Sequence, residues 1–212
     1  MDTRALIEAL AADARRPATS LSCVWWGAAG LSAAFAVVVV GAMLGLRPDI
    51  AAAAQTPRFL LKFGVMITLS ASAFCVARAL SRPGEAWRKV SPYLAAAPAL
   101  LAMAVIAELI VVPPESWSAG LMGMNAAGCL ASIMLVGIGP LAMFLIVLRY
   151  GAPTRPAIAG AMAGLLAGAI AATFYAAHCP DDSPLFLATW YTIAIAGLAL
   201  VGAAGAKAIA RW

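Results

Sequence analysis

The chain has 212 residues, 64% of them hydrophobic and 11% charged, with a net charge of +5 and a mean hydropathy of +0.95. Soluble domains carry about a quarter charged residues, so this composition excludes a soluble enzyme or any large soluble domain. The basic residues sit between apolar runs, which makes the positive balance a topology signal and gives no reason to expect direct nucleic-acid binding.

Residues 1–20 form the one polar segment. Leu6, Ile7, Leu10 and Ala14 fall on one helical stripe, and Arg4 and Glu8 sit one turn apart on another face. Asp2 or Thr3 can cap the start, and Pro17 ends the pattern. A helix of about three turns is marginal alone in water. It needs a surface, either the membrane interface or a partner groove that takes the Leu6/Ile7/Leu10 stripe.

From about residue 21 to 212 the chain is a transmembrane domain. Its six apolar runs each reach the ~20 residues needed to cross a bilayer. They cover about 24–46, 59–77, 93–112, 119–148, 157–177 and 185–206. The expected fold class is an all-α six-helix membrane bundle. Trp25 and Trp26 suggest an interfacial belt, and Gly139-Pro140 a kink in one long fourth helix that protrudes beyond Cys129. Gly160, Gly164 and Gly168 make a doubled small-residue face for close packing, within one bundle or against a second copy of the chain. Glu108 is the carboxylate nearest to a span interior, and depth counting puts it at the edge.

Basic residues set the expected orientation. With the N-terminus inside, Arg4, Arg15, Arg16, Arg78, Arg82, Arg88, Lys89, Arg149, Arg155, Lys207 and Arg211 are cytoplasmic, and only Arg47, Arg58 and Lys62 are outside. Both termini are then cytoplasmic, and the loop after the fifth run is outside.

That loop, Tyr175-Ala-Ala-His178-Cys179-Pro180-Asp181-Asp182-Ser183-Pro184, holds the single histidine and concentrates reactive side chains. Cys129, twenty residues before Arg149, lies about 30 Å from the inner surface, level with Cys179. Cys23 and Cys75 lie at the other end. An outer thiol pair in an oxidising compartment suits a redox sensor that passes through sulfenic acid to a disulfide. His178, when protonated, is the expected modulator of Cys179, as an accessible thiol reacts through its thiolate. Cys129, His178, Cys179, Asp181 and Asp182 also offer mixed metal donors, without a recognised ligand spacing. The bland alternative makes both cysteines apolar fillers. There is no P-loop, G-x-S-x-G or C-x-x-C, so neither an enzyme nor a cofactor is expected.

The six runs, the short Leu-Ile segment Arg4-Ala-Leu-Ile-Glu-Ala-Leu10, the 175–184 loop and Gly128-Cys129 together resemble the NrsF-type (OsrA-like) membrane-integral anti-sigma factors. The resemblance implies a protein of the bacterial inner membrane. It would hold an extracytoplasmic-function sigma factor through cytoplasmic segments and release it when outward cysteines meet oxidative or heavy-metal stress. By position those cysteines are Cys129 and Cys179. The sigma-binding surface would use Leu6, Ile7 and Leu10, or the basic loop with Arg82, Arg88 and Lys89. Two other classes remain: a membrane thiol oxidoreductase serving a quinone, and a small proton-coupled transporter using Glu108 and His178.

Overall fold

The structure is a computed structural model and describes residues 3, 4, 7, 20–82, 84 and 87–209. Thr3, Arg4 and Ile7 are helical and exposed, and Leu6 and Leu10 lie outside the described residues. The described chain is helical without a strand, and six helices are long and apolar enough to cross a membrane.

Six long helices form the bundle: α1 (Leu21–Met43), α2 (Pro57–Leu80), α3 (Ala96–Val111), α4 (Ala126–Arg149), α5 (Pro156–Tyr175) and α6 (Thr192–Ile209). Local chemistry fixes where they start. Ser20 caps α1 by accepting from the Cys23 amide at 3.2 Å. Thr56 caps α2, where Pro57 takes a first-turn position that has no use for an amide proton. Asn125 caps α4 by accepting from the Gly128 amide at 3.1 Å.

Helix α5 is the axis of the bundle, with 61% of its apolar window buried, against 6% for the third span, Trp87–Val111. Gly160, Gly164 and Gly168 all face α6: a Cβ at Gly160 would meet the Gly202 carbonyl, at Gly164 the Leu198 carbonyl, and at Gly168 the Ile195 backbone. The small-residue face therefore packs inside this chain. Its gain is dispersion between backbones, since lipid offers no hydrophobic incentive for helices to associate. Gly164→Val is expected to force α5 and α6 apart, because a carbonyl oxygen cannot yield as a side-chain tip can. The expected cost is about 3 kcal/mol, the upper end for overpacking. A thermal melt in detergent checks it, and a melt unchanged from wild type refutes the packing assignment.

Two expectations are corrected. Trp25 is no interfacial anchor: it is fully buried, stacked on Phe144 at 5.7 Å and edge-on to Phe74 at 5.8 Å. Burial is tolerable because its indole N–H donates to Ser81 Oγ at 3.1 Å. Trp26 alone stays exposed. The fourth run is not one long helix either. A short helix, Trp117–Met122, ends at Gly123, whose φ of 58° is left-handed, and α4 restarts at Ala126. A Cβ at Gly123 would run into the Phe186 ring and the Asp181 carboxyl, so glycine is needed for conformation and space alike. Helix α4 continues through Pro140.

Candidate thiol site at one end of the bundle

Cys129 opens the second turn of α4, and Cys179 follows the C-terminus of α5. The fold brings the two thiols together beside Lys62, and the Cys179 thiol donates to the Asp181 carbonyl at 3.9 Å. Both are unbridged and buried, at 0% and 1% exposure, which corrects the expectation of an accessible thiol. Two tyrosines close over them: Tyr175 and Tyr191 are almost fully buried, with ring centroids 6.2 Å apart. Among the described residues the buried Tyr191 hydroxyl makes no geometric hydrogen bond. It lies at the end of a π turn, Leu187–Tyr191, of the kind often found at functional sites.

The 176–183 loop is tied down by two basic residues from neighbouring segments. Lys62, near the start of α2, is fully buried. Its Nζ donates to the Cys179 carbonyl at 3.0 Å and the Asp181 carbonyl at 3.1 Å, and pairs with Asp182 Oδ1 at 2.6 Å. Arg47 donates to Asp182 Oδ2 at 2.7 Å and to the Cys179 carbonyl at 3.4 Å. It also holds Asp49 through two 2.7 Å bonds. Those bonds raise the Arg47 guanidinium further and hold the exposed Asp49 carboxyl below its usual range. The backbone joins the same contact, with the Arg47 amide donating to the Ala177 carbonyl at 3.2 Å. An unpaired charge here would cost several kcal/mol, so this cluster is tolerable only because its charges are matched.

Cys179 is drawn down from an ordinary thiol value of 9.0 to about 7. The main cause is the hydrogen bond from Cys129. Burial opposes it, and the Lys62 charge adds to it. The cation acting on the thiol is therefore Lys62. His178 faces elsewhere, its Nδ1 3.1 Å from the Gly45 carbonyl. Of the five residues offered as metal donors, the two cysteines stay together and the side chains of the other three are engaged elsewhere. Asp182 is engaged by Lys62 and Arg47, and Asp181 accepts from the Met124 amide at 3.1 Å. Among the described residues no group of three histidine, cysteine or acidic side chains is placed to hold a metal ion.

Glu108 stands at this same end, paired with Arg58 at 2.8 Å and accepting from Ser183 Oγ at 3.5 Å. The other cysteines are exposed and do not join the pair; Cys75 lines an apolar cleft of about 620 Å³ with Trp26, Phe74 and Arg78. Arg88 and Lys89 are exposed beyond the far end of α2, and Arg88 lies 5.7 Å from the Trp87 ring. Sequence reasoning missed Lys62 and Arg47 as parts of the site. The available signal was a lysine inside an apolar helix, which is costly unless partnered.

Comparison with known proteins gives one family. The description "Negative regulator of sigma F" matches residues 10–212. The chain is 35% identical to "Anti-sigma-F factor NrsF" of Caulobacter vibrioides (strain NA1000 / CB15N), over the full length of both. It is 34% identical to "Probable anti-sigma-F factor NrsF" of Azospira oryzae (strain ATCC BAA-33 / DSM 13638 / PS), over 89% of this chain and 86% of that one. No solved structure matches. With a match across nearly all of its length and a relative above one-third identity end to end, the chain belongs to the family of negative regulators of sigma F.

Proposed function

We propose that this protein is a membrane-bound anti-sigma factor that sequesters an extracytoplasmic-function sigma factor and releases it when Cys129 and Cys179 are oxidised. The single observation that carries the redox part is the buried thiol pair beside a buried ammonium. Family membership supports the regulatory part, since the family is a regulatory kind of protein and not an enzymatic one. The distribution of basic residues supports an N-terminus inside and the thiol end outside, in the inner membrane of a bacterium.

The chemistry balances with a hydroperoxide as oxidant. The Cys179 thiolate attacks the peroxide, the O–O bond breaks, and hydroxide or alkoxide leaves and takes up the proton that the thiol gave to solvent, as Cys179 becomes a sulfenic acid. The Cys129 sulfur then attacks Cys179, an S–S bond forms, and water leaves with the Cys129 proton. Two electrons have passed from the thiols to the peroxide. The switch needs an element with two arrangements, and α2 suits this role. Lys62 lies near one end of it, and Leu80, about 27 Å along the helix, leads into the basic loop.

A pull-down of the tagged full chain from detergent, with and without residues 1–16, tests the anti-sigma part. A sigma factor recovered only with the intact N-terminus is the expected result, and places the partner surface on Leu6, Ile7 and Leu10. Recovery with both moves that surface to Arg82, Arg88 and Lys89. Recovery with neither removes the proposal and favours the oxidoreductase or the transporter.

A further inference from the structure

We infer that Lys62 is the positioning residue of the thiol pair: its buried ammonium locks the loop carbonyls around Cys179, so that Cys179 is held against Cys129 beside a fixed positive charge. The inference rests on the redox reading of that pair.

The geometry is specific. Ammonium groups inside a hydrocarbon-depth helix are expensive, and a lysine that only needed to be tolerated would reach for water. Lys62 instead has no exposed surface and spends its contacts on one target. Two of its three oxygen partners are the carbonyl of Cys179 itself and that of Asp181, two residues on. The third is the carboxylate of Asp182, the next residue. A residue with these partners fixes the loop at the point where the sulfur is presented.

The other charged and titratable groups around Cys179 do not replace this one. From α4 comes the Cys129 thiol, and from α5 the Tyr175 phenol. From the segment after the loop comes Tyr191. Within the loop, Asp181 is turned to the Met124 amide and Asp182 is paired with Lys62 and Arg47, while His178 faces Gly45. From the segment after α1, Arg47 reaches the Cys179 carbonyl, but its guanidinium is already shared between Asp49 and Asp182. Lys62 is the cation whose charge acts on the thiol, from a position fixed by its bonds to the Cys179 and Asp181 carbonyls. A thiol reacts as its thiolate, and a neighbouring cation sets how much thiolate is present.

The test uses the full chain in detergent with Cys23 and Cys75 changed to serine, so that only the buried pair remains. The rate of disulfide formation with hydrogen peroxide is followed across pH by alkylation and mass measurement. Wild type is expected to show a midpoint near 7, and Lys62→Met to raise it by about one pH unit, slowing the reaction at neutral pH ~fivefold. Lys62→Arg keeps the charge and is expected to keep the midpoint. A purely structural lysine would slow the reaction without moving the midpoint, and that result overturns the inference, as does an unchanged rate. Should Lys62→Met fail to fold, the double variant Lys62→Met/Asp182→Asn removes charge in a matched pair and carries the same reading. No sigma factor is present in this assay. A moved midpoint with no oxidant-driven sigma release would therefore sink the redox reading and leave Lys62's role intact, and an unmoved midpoint would do the reverse.

Discussion

Changing Cys179 to serine is expected to abolish oxidant-driven release of the sigma factor, leaving it membrane-bound with or without peroxide. The same outcome is expected for Cys129→Ser, because a disulfide needs both sulfurs and the fold offers no second partner: Cys23 and Cys75 are exposed and stand apart from the pair. A sigma-dependent reporter, read with and without peroxide, checks the effect. Alanine at each position separates chemistry from packing. Serine buries a new hydroxyl at a cost of about 1–3 kcal/mol if unpartnered, whereas alanine removes the thiol without adding a polar group. Release preserved in both serine variants would end the redox reading. On the proposed redox reading, oxidation removes the negative charge that a thiolate at Cys179 places near Lys62. The reduced pair and the disulfide therefore stabilise the loop differently, and only such a difference can move an equilibrium. Turning a two-state element nearly all the way over takes about 5.5 kcal/mol, so release is expected to draw on the loop contacts of Lys62 and Arg47 together.

Asp182→Ala is expected to be the most destabilising change at this end of the bundle. It strips the counter-charge from Lys62, which has no exposed surface, and frees one side of Arg47. Removing one partner of a buried pair costs about 3–5 kcal/mol, chiefly from the charge left behind. The measurement is thermal unfolding of the purified protein, followed by a double-mutant cycle with Lys62→Met. The double variant should lose much less than the sum of the two singles, since the orphaned charge is gone. Additive losses would mean that the two side chains do not sense each other, against the 2.6 Å contact. Arg47→Ala should be milder, because the more exposed Asp49 can solvate and Lys62 still holds Asp182.

Sequence alone determined the class of the molecule and the common level of its two buried thiols, but not the basic residues that hold them. Runs of ~20 apolar residues have one stable form in hydrocarbon, a helix, so the six spans were legible from composition. Depth along a helix is simple arithmetic, which is why Cys129 and Cys179 could be placed level with each other from 50 residues apart. Spacing likewise announced the glycine face of α5, although not which helix it meets. What only the tertiary structure decided is which side chain turns to which. A tryptophan at a helix start reads as an interfacial anchor until Ser81, 56 residues away, accepts its N–H and makes burial affordable. A fourth apolar run reads as one helix until Phe186 and Asp181 crowd Gly123 and break it. His178 reads as the neighbour of Cys179, yet Lys62 is the cation that acts on it, 117 residues away in sequence. The physical reason is common to all three. Hydropathy and periodicity report how each segment meets the solvent, and the satisfaction of a buried donor or charge depends on partners that only folding brings near.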